Sequence, residues 1–128
     1  MRMMSFALTE RQLMDGSKTV TRRTGWANLK PGTRLLAVRK AMGLKKGENI
    51  QPLCEIEVVS VRRERLGDIE DSDCAAEGFP DLSAAQFVDM FMSKVPTFGM
   101  AAYDVEVTRI GFRKVPGTDK VAAQQRLL

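Results

Sequence analysis

The chain contains no histidine, so any proton chemistry it performs runs through lysine, threonine, carboxylates or its two cysteines. A Ser–His or Cys–His pair and the commonest zinc ligand are excluded. Cys54 and Cys74 are too isolated in sequence for a CxxC site and read as small core residues. The densest run of usable side chains is Gly16-Ser17-Lys18-Thr19-Val20-Thr21-Arg22-Arg23, which holds an amine, hydroxyls and two guanidiniums. Positive charge continues through Lys30, Arg34, Arg39, Lys40, Lys45 and Lys46, whereas Asp68, Glu70, Asp71, Asp73 and Glu77 form an acidic group. The net charge of +4 and a pI near 9.3 favour an anionic partner, because neutralising phosphates releases counterions. The composition points to no metal and no cofactor.

These side chains need elements to hold them. Thr9 as N-cap and Gly16 as stop predict a short helix over 9–15. The β-branched Thr19, Val20 and Thr21 then favour an extended segment. Lys30-Pro31-Gly32-Thr33 is a turn before a strand over 34–39, and 42–51 reads as an exposed loop. A long strand over 52–63 sets Cys54, Ile56 and Val58 opposite Glu55, Glu57 and Ser60. Asp68 or Ser72 starts a helix ending near Glu77, and Ser83 caps another whose face is Phe87, Val88, Phe91 and Met92. A last strand covers 103–115. The result is one α+β domain over 1–115, a partly open barrel decorated by helices, with a flexible tail over 116–128. No run approaches the roughly 20 apolar residues of a membrane span. The start lacks the apolar core of a secretory signal, so the expected location is cytoplasmic.

The octet resembles the signature of the ASCH family, G-x-K-x-x-E-x-R shortly after an initial short helix. Gly16, Lys18 and Arg23 match it, and Thr21 stands where that version has glutamate. A small bacterial branch, the N4-acetylcytidine amidohydrolases, has threonine there, in a G-x-K-T-x-T-x-R pattern that Gly16, Lys18, Thr19, Thr21 and Arg23 reproduce. Lys30-Pro31-Gly32-Thr33-Arg34-Leu35, Cys54-Glu55-Ile56-Glu57-Val58 and Val107-Thr108-Arg109-Ile110-Gly111-Phe112 are similar to that branch's turn and strands, so the likeness covers roughly residues 5 to 113. The resemblance implies a PUA-like barrel with short helices packed at its side. It also implies a catalytic group of Lys18, Thr21 and a helix glutamate, for which Glu77 in Ala75-Ala76-Glu77-Gly78-Phe79 is the candidate.

The chemistry is coherent beside the likeness. A lysine near a threonine hydroxyl eases alkoxide formation or accepts its proton, and a carboxylate passes a proton to a leaving amine. Arg22 and Arg23 would hold a phosphate or a developing oxyanion, and Trp26, Arg39 and Lys40 complete the expected ligand- and RNA-binding set. Lys18 and Thr21 converge only if the backbone turns between them. Plainer readings stand beside these: Lys18, Arg22 and Arg23 as a phosphate stripe, Thr21 as an ordinary strand residue, Glu77 as a helix-end acid, Trp26 as a core plug, and loop 42–49 as solvated. Three functions are open. The first is a hydrolase of an N4-acylated cytosine nucleoside; the second is an RNA-binding module or metal-independent ribonuclease on single-stranded RNA; the third is a non-catalytic regulatory interaction protein. Nothing in the sequence fixes an oligomeric state.

Overall fold

Strand β4 (Pro52–Arg65) organises the sheet, because its two edges pair with β3 (Arg34–Val38) and β5 (Glu106–Lys114), both antiparallel. The structure is a computed structural model that describes residues 1–96 and 98–120. β2 (Val20–Arg23) adds antiparallel outside β5, and β1 (Met3–Ser5) adds parallel outside β3, so the order is β1-β3-β4-β5-β2. No strand before Thr19 is expected from the sequence. Three residues are too short for an alternation signal, and β1 is placed by its partner β3, with Met4 buried and Met3 exposed. The β4–β5 register shifts between Val58 and Ser60, which puts Val59 in solvent and returns Val61 to the core.

Three short helices sit beside the sheet: α1 (Glu10–Met14), α2 (Asp71–Ala76) and α3 (Ala84–Lys94). Ser83 caps α3 as expected, and its capping box with Gln86 satisfies an N–H in each direction. Neither Asp68 nor Ser72 caps α2; Glu70 stands at that position without a side-chain bond, and Asp68 closes a 3-10 turn instead. The last strand begins at Glu106, because Ala102–Asp104 also forms a 3-10 turn. Of the tail expected to be flexible over 116–128, Thr118 Oγ1 accepts from Glu55 N at 2.9 Å, and Lys120 N donates to Leu53 O at 2.8 Å. Residues 121–128 lie outside the described ones.

Two apolar clusters hold these layers. One joins the sheet to α1 through Phe6, Leu13, Leu35, Ile56 and Phe112; the other packs Phe87, Val88 and Phe91 of α3 on Leu66, Cys74 and Val107. Both cysteines are thus buried core residues, and burial pushes their thiols up, Cys54 to about 11. The sheet curls without closing. Arg23 Nη2, on edge strand β2, donates to Ser5 O of the opposite edge β1 at 2.6 Å, so a side chain bridges the gap left by backbone pairing. This is the expected α+β, partly open barrel.

The end of α2 sets the path of the chain toward α3. Phe79 N donates to Cys74 O and Gly78 N to Ala75 O, a Schellman motif with Gly78 at φ +98°. A Cβ on Gly78 would lie 2.9 Å from Gln12 Cβ. Gly78→Ala is therefore expected to lower unfolding free energy by at least about 1–2 kcal/mol, the left-handed penalty alone. A urea midpoint equal to that of the parent would show that the turn relaxes instead.

Candidate functional site

The site is built at the opening of the barrel. After α1, Gly16 at φ +82° reverses the chain, and Lys18 N donates to Gln12 O, while Thr19 N donates to Ala76 O at 2.8 Å. These bonds seat Lys18 between α1 and α2 before β2 starts at Val20. The turn answers the geometric objection to Lys18 and Thr21: one residue precedes the strand, the other lies in it, and both line one cavity of about 260 Å³.

Lys18, Thr21 and Glu77 are 5%, 3% and 3% exposed. Lys18 Nζ donates to Glu77 O at 2.7 Å and to Glu77 Oε1 at 3.0 Å. Burial pushes the Lys18 ammonium below the usual lysine range, against the opposing pull of Glu77. Thr21 Oγ1 accepts from Arg23 Nε at 3.0 Å, so a cationic donor rather than Lys18 touches the hydroxyl in this state. Arg23 also lies over the Phe6 ring at 5.1 Å. Burial lowers its pKa to about 10, and among the described residues no carboxylate pairs with it.

Strand alternation separates the two neighbouring arginines, since Thr21 and Arg23 share one face of β2 and Arg22 takes the other. Arg22 Nε donates to Glu64 Oε1 at 2.9 Å, Nη1 to Glu77 Oε2 at 3.1 Å, and Nη2 to Asp73. Burial works against the Arg22 cation, but these carboxylates outweigh it and hold its pKa above the ordinary value. Asp73 is also gripped by Arg109 at 3.0 and 3.2 Å, and the two guanidiniums hold its carboxyl at about 2. Arg22 therefore lines the cavity with its nitrogens already bonded to protein.

Three other expected binding residues lie elsewhere. Trp26 packs half-buried on the core with the Arg2 guanidinium 4.2 Å from its ring centroid. Arg39 pairs with Glu10 at 2.7 Å, and Lys40 with Glu48 at 3.7 Å; both line a second cavity formed by loop 42–49. That loop does not line the cavity holding Lys18. The sequence reading missed the apolar wall, made of Phe79, Phe87, Met90, Phe91 and Val95. Its only signal is the Phe87/Phe91 spacing, which a core face produces equally well, and here those rings serve both. Among the described residues no group of three or more Cys, Asp or Glu side chains could hold a metal ion, and no helix is long and apolar enough to cross a membrane.

No family model and no curated protein matches the chain. Among solved structures it is similar to the ASCH domain from Lactobacillus crispatus JV V101, with TM-score 0.62 and 17% identity over 88% of this chain and 78% of that one. It is also similar to a protein from Enterococcus faecalis V583 of the DUF984 family, with TM-score 0.57 and 16% identity over 83% and 69%. The chain has the fold of an ASCH domain.

Proposed function

We propose that this chain hydrolyses an N4-acylated cytosine nucleoside, with Thr21 as nucleophile, Lys18 as its base and Glu77 as the acid for the leaving amine. The observation that supports it is the meeting of these three buried residues in one apolar-walled cavity, in a chain without histidine. Thr21 Oγ attacks the acyl carbon as neutral Lys18 takes its proton. The oxyanion forms beside Arg23, a cavity cation with no carboxylate partner among the described residues. Glu77, bonded to Lys18, carries that proton to the N4 amine as its bond to the acyl carbon breaks. Water then cleaves the threonine ester to give the carboxylic acid. A cavity of about 260 Å³ lies just below the usual small-molecule range of roughly 300–1,000 Å³ and suits one base more than a long strand.

The second reading is an RNA-binding module or metal-independent ribonuclease that seats one splayed base in the same cavity. It is favoured by Arg23 and by Lys94, a cation at the cavity with no ion pair among the described residues. Against a broad phosphate track, several surface cations already have partners among the described residues: Arg34 and Arg113 on Glu57, Arg63 on Glu106, Arg65 on Asp68. The affinity for N4-acetylcytidine, measured by calorimetry, is expected to change less than about threefold between 50 and 200 mM salt, whereas a protein making 6–10 phosphate contacts loses about 10³–10⁵-fold. Tight single-stranded RNA binding that collapses over that range, with no nucleoside binding, would transfer the function to the second reading.

A further inference from the structure

Glu77 is held from two sides. Its Oε1 accepts from Lys18 at 3.0 Å, and its Oε2 accepts from Arg22 at 3.1 Å. Its backbone is fixed as well: Glu77 is the residue just past the end of the six-residue α2, its N–H donates to Asp73 O, and its C=O accepts from Lys18. Arg22 is anchored by several carboxylates. Its guanidinium joins Glu64 on β4, Asp73 on α2 and Glu77, and Asp73 is gripped in turn by Arg109 on β5. Arg22 thus ties its own strand β2 directly to β4 and the short helix, and Asp73 carries the tie on to β5. All three guanidinium nitrogens are bonded to protein and the side chain is 1% exposed, so Arg22 acts through Glu77.

We infer that Arg22 is a positioning residue, which fixes Glu77 Oε2 so that Oε1 stays on the Lys18 amine at the cavity floor. The catalytic consequence rests on the hydrolase reading; the geometric one does not. Misplacing a proton-transfer group by about 1 Å costs on the order of 10²-fold in rate, so the brace matters without touching substrate. Lysine at this position supplies a point charge without the guanidinium's fork and meets only part of the requirement.

The experiment compares the full-length parent with Arg22→Gln, Arg22→Lys and Asp73→Asn. Steady-state kinetics on N4-acetylcytidine are paired with the ¹H–¹⁵N resonance of the Lys18 ammonium. Arg22→Gln is expected to lower kcat about 10²-fold with KM changed less than about twofold, and Arg22→Lys to recover about tenfold of that loss. Asp73→Asn leaves the cavity lining untouched and carries the same test if Arg22→Gln does not fold; its kcat is expected to fall about tenfold. The Lys18 ammonium, protected by two Glu77 acceptors in the parent, is expected to lose its slow-exchanging resonance in Arg22→Gln. If that resonance disappears while the parent hydrolyses nothing, the hydrolase reading fails and the positioning role stands. An unchanged resonance, or unchanged kcat with only a lower melting temperature, overturns the positioning role and leaves a structural brace.

Discussion

Thr21→Val is expected to remove at least about 10³-fold of turnover on N4-acetylcytidine while leaving the fold intact, because it deletes the proposed nucleophile. Valine keeps the branched shape that suits β2, where Thr21 is buried against the cavity, and takes away only the hydroxyl. Arg23 Nε then loses one acceptor, at a cost of about 1–3 kcal/mol for a buried donor, and Nη2 keeps its bond to Ser5 O. Urea unfolding separates the two effects: a midpoint near that of the parent with turnover gone assigns the loss to chemistry. Thr21→Ser retains the hydroxyl and is expected to stay measurably active. A Thr21→Val protein with more than a tenth of parental turnover would remove Thr21 from the reaction.

Lys18→Met is expected to abolish turnover and also to destabilise the protein by about 3 kcal/mol. Breaking a buried pair costs roughly 3–5 kcal/mol, and the remaining Arg22 partner of Glu77 keeps the loss at the lower end. The same residue sets a pH dependence. Burial lowers the folded-state pKa of Lys18 below its ordinary value of 10.5. Between the folded and unfolded values the unfolded chain binds the extra proton, so stability rises with pH across that window and flattens above the unfolded value. Turnover should rise across a limb at the same folded-state pKa, since the neutral amine is the proposed base. Unfolding and rate measured against pH check both, and Lys18→Met should lose the stability rise. A rate limb at the ordinary lysine value would contradict the assignment.

The candidate site is legible in the sequence to the extent that it is local. Lys18, Thr21 and Arg23 lie within one octet, and the turn at Gly16 that lets two of them converge comes from a helix stop. Glu77 is reachable because Gly78 marks the end of its helix, and the structure sets it on Lys18 across 59 residues of sequence. The partners of Arg22 are not legible, because Glu64, Asp73 and Glu77 come from segments that only the sheet order and the docking of α2 bring together. The ion pairs of Arg39 and Lys40 are not legible for a related reason. A count of cations carries no record of which are neutralised, and Glu10 and Glu48 claim these two. The barrel strands are read from alternation and turns, whereas β1, at three residues, depends wholly on β3. The aromatic wall has the periodicity of an ordinary core, so only the placement of α3 at the mouth of the open barrel gives it a second use.

Whether Thr21 and Lys18 carry out the hydrolysis is decided by incubating the purified protein with N4-acetylcytidine and counting acetate and cytidine against time, with Thr21→Val and Lys18→Met beside it. Equal amounts of the two products are expected from the parent over many turnovers, and neither above background from the variants. No product from a folded parent that binds the nucleoside, or equal turnover in parent and Thr21→Val, would refute the proposed reaction.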